Sequence, residues 1–565
     1  MSSARRGAEK SVAGGVRGSK NRPPMKSATL RLNLPILLAM GVLLGACEQG
    51  QEPAPRPVPP GAAPVPAGAV GRLSFRITLD EELAPTGASG RLLVFMSSAE
   101  KPKKSLGTGF IPGGTWLAAV ELTDLGAGET LVFDPDALAY PEPFSAAAPG
   151  NYQVMALLDV DHSYAYSGEG PGDLKSGVLA VANLDPAATA PVDLKLSKAN
   201  PLEPAPTDTE NIKLVEFTSP ALSAFWGRPI QMQAGVVLPP GYAESADKRY
   251  ATVYHLHGFS GDHREAWGKG AVVSKAMGEG RMAPMIHVFL NASCPGGAHQ
   301  FADSANNGPW GRALTEEFIP NLEGRFRTAG LAGGRFLTGH SSGGWSSLWL
   351  QITYPEYFGG TWSTAPDPVD LRSWTGIDAT PGTRDNAYHE PDGRPKQLVR
   401  NGSDWVASIR QFAGQEEVAG EYGGQFASFE WVWSPRGADG RPMKLFNRRS
   451  GVLNPEVVAA WQRYDIRLIL ETNWPILEQK LKGKIHVFCG ELDTFRLEEG
   501  VRMLAEFFAA KGSDAVCEIV PGRGHGDLYQ PYETFPQGLA MRIDQEMATA
   551  FAAAMESSAK PAAPR

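Results

Sequence analysis

Gly339-His340-Ser341-Ser342-Gly343 places a serine between two glycines, each two positions away, inside the run RFLTGHSSGGWSSLWL. The apolar residues before it read as a short strand, and those after it as a helix. A turn this sharp forces its central residue into a strained backbone conformation, and larger neighbours would clash with the strand and helix. The helix that follows aims its first amides at the place where negative charge grows during acyl transfer. Serine is a poor nucleophile unless a base takes its proton, and the base needs a carboxylate to fix its tautomer. Two later loops supply both. KIHVFCGELD ends an apolar strand with Glu491 and Asp493, and AVCEIV runs into Pro-Gly-Arg-Gly-His525-Gly-Asp527. Among ten histidines, only His525 combines this order with a loop past a strand end. The expected triad is Ser341, His525 and Asp493, with Glu491 and then Asp527 as alternatives for the acid.

An oxyanion needs two amide donors. Ser342, directly after the nucleophile, provides one. The loop in YHLHGFSG provides the other, expected at Phe259. The same loop carries a competing reading, because His255, His257, Asp262 and His263 hint at a metal-dependent hydrolase. That pattern would need Asp at 259, where this chain has Phe, and no further ligand set stands out downstream. Between a strand and a helix, GAHQFADSANNGPW holds more polar and aromatic groups than a connection requires. His299, Asp303, Asn307 and Trp310 are the substrate-positioning candidates there, with helix capping as the alternative.

The elements that must position these residues alternate strand and helix from about 212 onward: QMQAGVV, ATVYHL, MIHVFL, the elbow, GGTWST, KIHVFCG and AVCEIV. Such alternation predicts a mostly parallel sheet covered on both faces, with sites at the carboxyl ends of its strands. Leu497, Val501, Leu504 and Phe508 repeat at helical spacing, with Gly512 placed to end the helix. Residues of about 366–482 interrupt the alternation. This cap insertion carries Trp374, Trp405, Trp431, Trp433, Trp461 and Trp474, read mainly as packing, with some available to a substrate groove.

Residues 71–198 read differently. LSFRITL, RLLVFM, TWLAAVEL, ETLVF, NYQVMALLDV and VDLKLS are short strands separated by Gly/Pro turns, as in a β-sandwich-like domain. ANPLEPAPTDTEN (199–211) is the linker to the catalytic domain of 212–556. Asp159, Asp161 and Asp173 could hold Ca²⁺, but the loop lacks the Gly and terminal Glu of an EF-hand, which favours a solvated loop. Cys489 and Cys517 lie on strands that could be neighbours, which suits either a disulfide or buried thiols.

The net charge of −8 and the lack of a basic patch exclude nucleic acid as the expected partner. LPILLAMGVLLG, behind Lys26 and Arg31, has the length of a signal-peptide core. It runs into Leu-Gly-Ala-Cys47, which resembles a bacterial lipobox. By that resemblance residues 1–47 are a leader and Cys47 is the lipidated residue, with a plain secretory signal as the alternative. Residues 48–70 are a Pro/Ala-rich tether and 557–565 a tail. The expected location is the cell envelope, with a membrane contact through the lipid.

VVLPPGY, YHLHGFSG, LTGHSSGGWSSLWL and the spaced Asp493 and His525 together resemble an esterase family of the α/β-hydrolase superfamily. That family includes feruloyl and acetyl-xylan esterases, enterochelin esterase, S-formylglutathione hydrolase and mycolyltransferases. The resemblance covers about 230–365 and 483–550. It implies an α/β-hydrolase fold, no cofactor and an acyl-enzyme on Ser341, with acylated polysaccharide or siderophore esters as substrates. The long insertion departs from compact members. Acyl transfer through the same triad, and glycan or partner binding without catalysis, are the alternative functions.

Overall fold

Each apolar run of the second half, bounded by turn residues, becomes a strand of one eight-stranded sheet in the computed structural model, which describes residues 72–559 except 99, 188, 189 and 421. Its strands are β1 (Ile212–Thr218), β2 (Gln231–Val237), β3 (Thr252–Leu256), β4 (Ile286–Leu290), β5 (Arg335–His340), β6 (Gly360–Thr364), β7 (Ile485–Gly490) and β8 (Val516–Val520). The spatial order is β1-β2-β4-β3-β5-β6-β7-β8. β2 runs antiparallel to β1 and β4, and all other pairs are parallel. The sheet is α/β-hydrolase-like. Strand β1 was not anticipated, because KLVEFT mixes charged and apolar residues as an exposed edge strand does.

Both faces are covered, as the alternation predicts. In β4, Ile286, Val288 and Leu290 join Phe318 and Ile319 in one core, while Phe289 turns to Ala266 and Met277 of α1 (Glu265–Gly278). Helix α2 (Ser342–Thr353) follows the elbow and is almost wholly buried. The insertion adds α3 (Ile409–Ala419) and α4 (Gln425–Trp433). A capping box with Ser408 and Gln411 starts α3. Helix α5 (Leu497–Ala510) stops before Gly512, whose φ is +62°. Trp374, Trp433, Trp461 and Trp474 are buried, and Trp405 is 44% exposed.

The six strands expected near the start are present. Residues 130–133, 75–79 and 192–196 form a three-stranded sheet, and 88–97, 116–125 and 150–159 lie in a seven-stranded one. Leu92, Val94 and Ala156 share a core with Phe75 and Ile77 of the smaller sheet. Leu93, Phe95 and Leu157 face the other way and pack with Val418 and Ala419 of α3. The unbroken run RLLVFM is thus buried on both faces. All described residues lie within one compact unit. The expected leader, Cys47 and the tether fall outside the described residues, as does most of the tail.

Candidate active site

Ser341 stands between β5 and α2 with φ +61° and ψ −124°, a conformation rare for any residue with a Cβ. Its amide is tied to the Thr364 carbonyl at 3.0 Å. The flanking glycines are sterically required. A Cβ on Gly339 would strike the Gly343 carbonyl, and one on Gly343 would strike the Leu256 carbonyl.

Asp493 and His525 meet across 32 residues of sequence. The Nδ1 of His525 lies 2.7 Å from Oδ2 of Asp493, whose side chain is wholly buried. The other carboxylate oxygen, Oδ1, accepts the Phe495 amide at 2.9 Å, so the carboxylate is held in place. Burial disfavours a charged His525 ring, but the charge and hydrogen bond of Asp493, with the charge of Asp367 beyond, outweigh it and raise the pKa above its ordinary value. Neither alternative acid touches the imidazole. Glu491 accepts the Gly522 amide at 3.0 Å, and Asp527 accepts the Gly524 amide at 2.6 Å, so both shape the histidine loop. The His340 and Phe495 rings lie 4.5 and 5.1 Å from that of His525.

The expected oxyanion loop lies against the nucleophile. A Cβ on Gly258 would approach the Ser341 Cβ at 3.4 Å. His257 pins this loop: Nδ1 donates to the Gly258 carbonyl and Nε2 accepts the Ala292 amide, both at 2.8 Å. His255 pairs with His287 at 2.8 Å and stacks on Phe289. Burial pushes the pKa of His255 and His257 down. These contacts oppose the metal reading, since both His257 nitrogens are already spent. Among the described residues, the acidic or imidazole ligands that gather are Asp159, Asp161 and Asp173. Their carboxylates accept amides of Ser163, Tyr164, Val160 and Gly170, the bonds of a self-structured loop.

The four substrate-positioning candidates differ in setting: His299, Asn307 and Trp310 are buried, whereas Asp303 is exposed. His299 is buried, stacks on Trp310 at 3.5 Å, and accepts the Phe301 amide on Nδ1. Asp303 accepts the amides of Gly311 and Arg312 at a helix start. Asn307 is buried, its backbone carbonyl accepts from the Trp226 indole, and its side-chain Nδ2 has no hydrogen-bond partner among the described residues. Cys294, Cys489 and Cys517 are free thiols: β7 and β8 pair Val487 with Cys517 and Cys489 with Ile519, two residues out of step.

One acidic residue of this site was not anticipated. Asp367, just past β6, accepts the Ser342 hydroxyl at 2.5 Å and Gln425 Nε2 at 3.4 Å, while its amide donates to the Ser341 carbonyl. Burial pushes its pKa up to about 6. The available signal was GGTWSTAPD, a carboxylate three residues beyond a strand adjoining the elbow.

Residues 227–465 match the family model described as "Putative esterase". This stretch is similar to that esterase family. The chain is a carboxylic ester hydrolase on that similarity, and the match includes Phe259 and Ser341 but ends before Asp493 and His525. Solved structures similar to the esterase include a ferulic acid esterase at 15% identity, covering 60% of this chain and 99% of that one, with a TM-score of 0.37. An S-formylglutathione hydrolase from Agrobacterium tumefaciens is 17% identical over 60% of this chain and 94% of that one, TM-score 0.34. A ferulic acid esterase from Anaeromyces mucronatus is 16% identical over 60% and 94%, TM-score 0.32. In the esterase the insertion supplies Gln425, so some of the scaffold behind the elbow comes from the segment that interrupts the strand–helix alternation.

Proposed function

We propose that the protein is a serine esterase that works through Ser341, His525 and Asp493. The observation that carries this reading is the buried Asp493–His525 pair, held on strand-end loops of the sheet whose elbow strains Ser341. His525 takes the Ser341 proton as the hydroxyl attacks the ester carbonyl, and Asp493 keeps the imidazole oriented and offsets its charge. The amides of Phe259 and Ser342 receive the oxyanion. The alcohol leaves with a proton from His525, and water, activated by the same imidazole, cleaves the acyl-enzyme. The raised pKa of His525 suits a base that must accept a proton during attack. Asp367 holds Ser342 and lends its charge to His525.

The substrate proposed is an ester of an acylated polysaccharide or siderophore, met at the cell envelope by a body tethered through lipid on Cys47. The β-sandwich-like segment 71–198 and the cap are proposed as additions to the catalytic unit. Among the described residues, no helix is long and apolar enough to cross a membrane.

Labelling with a fluorophosphonate tests the assignment. The parent should label and Ser341→Ala should not. Equal labelling of both overturns it.

A further inference from the structure

The C=O of Ser341 and the N–H of Ser342 belong to one planar trans peptide, so they point in opposite directions and fixing one aims the other. That carbonyl accepts two amides, from Trp345 at 3.1 Å and from Asp367 at 3.2 Å. Asp367 also grips the next residue, since its Oδ2 accepts the Ser342 hydroxyl at 2.5 Å. Ser342 and Asp367 are both buried, so water does not compete for these bonds. The turn that delivers Asp367 is itself strained. Ala365 has φ +38°, and a Cβ on Gly344 of α2 would strike the Thr364 carbonyl behind it.

Gln425 closes this cluster. Its Nε2 lies 3.4 Å from both Ser342 Oγ and Asp367 Oδ2, whereas its Oε1 is buried without a hydrogen-bond partner among the described residues. Gln425 is thus tied in through its N–H end alone. The insertion brings it there by a definite route. Glu416 of α3 accepts the amides of Phe426 and Ala427 at 2.9 and 2.8 Å, which fixes the first turn of α4. A Cβ on Gly424 would collide with the Glu416 side chain. Helix α3 rests in turn on the N-terminal sheets, where the Arg91 guanidinium donates to the carbonyls of Glu417 and Val418. The other amide offered to the oxyanion is also braced from outside the α/β-type sheet. The Phe110 ring lies 5.4 Å from that of Phe259, and Tyr166 meets Phe259 edge-on at 4.8 Å while its hydroxyl donates to the Gly261 carbonyl.

We infer that Gln425 is a positioning residue of the oxyanion site: from the cap insertion it holds Asp367 and the Ser342 hydroxyl so that the Ser342 amide faces the developing charge. The inference rests on the esterase reading above, and it makes the insertion part of the catalytic apparatus. Alignment matters because an N–H stabilises an oxyanion less as it turns away from it. The ground-state ester asks less of that amide, so the loss falls on kcat rather than on KM.

The test uses 1,1,1-trifluorohexan-2-one as a stand-in for the tetrahedral intermediate. Ser341 Oγ adds to its carbonyl carbon, the proton passes to His525, and the carbonyl oxygen becomes the oxyanion. Ki for this ketone and KM for 4-nitrophenyl acetate do not depend on the folded fraction, so both report on the site itself. Gln425→Met keeps length and bulk but removes the N–H. It should raise Ki about tenfold with KM within about twofold, and Ser342→Ala, which keeps the amide and loses the hydroxyl, should do the same. Because the two act through one contact, the double variant should raise Ki by no more than about twentyfold, against about a hundredfold for independent sites. Gln425→Ala carries the same expectation should the Met variant fail to fold. A rise of about fivefold or more with KM held supports the inference. A smaller rise, Ki and KM rising together, full additivity, or a labelled parent that the ketone does not inhibit overturns it. In all these cases Ser341→Ala fails to label and the esterase reading survives, whereas equal labelling of the parent and Ser341→Ala overturns both.

Discussion

Two histidines sit in loops beyond strand ends of the same sheet, and only one is equipped as a base. His525 has a buried carboxylate at 2.7 Å, which raises its pKa against the pull of burial. His299 is fully buried against Trp310 with no carboxylate beside it, and burial drives its pKa well below the usual value. Burial alone makes an imidazole an inert packing ring, and a charged partner inside the same low-dielectric surroundings makes it a proton acceptor. What distinguishes the two loops is the aspartate, not the histidine.

The contrast breaks most sharply at Asp493. Asp493→Asn should lower kcat/KM by about 10⁴-fold, because the imidazole loses its tautomer and its countercharge. Glu491→Gln, which only loosens a loop hydrogen bond, should stay within about threefold of the parent. The reverse ranking would reassign the acid. His299→Ala should act on the fold, lowering stability by about 2–3 kcal/mol in thermal unfolding while kcat per folded molecule is largely kept. A large drop in kcat with an unmoved Tm would return His299 to the site.

The smallest expected effect sharpens the electrostatic half of the comparison. His525 must be neutral to act, so activity rises as pH climbs through its pKa. The Asp367 carboxylate raises that pKa. Asp367→Asn removes the charge, so the acid limb of the kcat/KM profile should shift to lower pH. An unmoved limb would leave Asp367 only its hydrogen bond to Ser342.

The elbow was legible in the sequence because its steric demands fall on five consecutive residues, and Gly339 and Gly343 do face carbonyls that exclude a Cβ. Asp493 and His525 were legible because each follows an apolar strand in a short loop. Asp367 was not, since its role depends on Ser342 and on Gln425, which lies 58 residues further along. In the 299–310 loop the capping of a helix start by Asp303 was legible only as an alternative, while Nε2 of His299 and Nδ2 of Asn307 are buried without a hydrogen-bond partner among the described residues, so internal hydrogen bonding accounts for only part of its polar content. The reach of Phe110 was hidden because strand periodicity reports which face is buried, not what buries it. RLLVFM came closest to revealing the contact, since a run without polar alternation has two faces to cover.

That second covered face bears on dissection of the molecule. Leu93, Phe95, Leu117 and Leu157 are sealed by Val418 and Ala419, and the Arg91 guanidinium grips the carbonyls of Glu417 and Val418. A chain shortened to begin at 212 would hydrate one half of this seam, bare the Phe259 ring and leave α3 without its floor. The Pro-rich stretch at 199–211 reads as a natural cutting point, yet severing it would divorce a pair of surfaces that fit only each other.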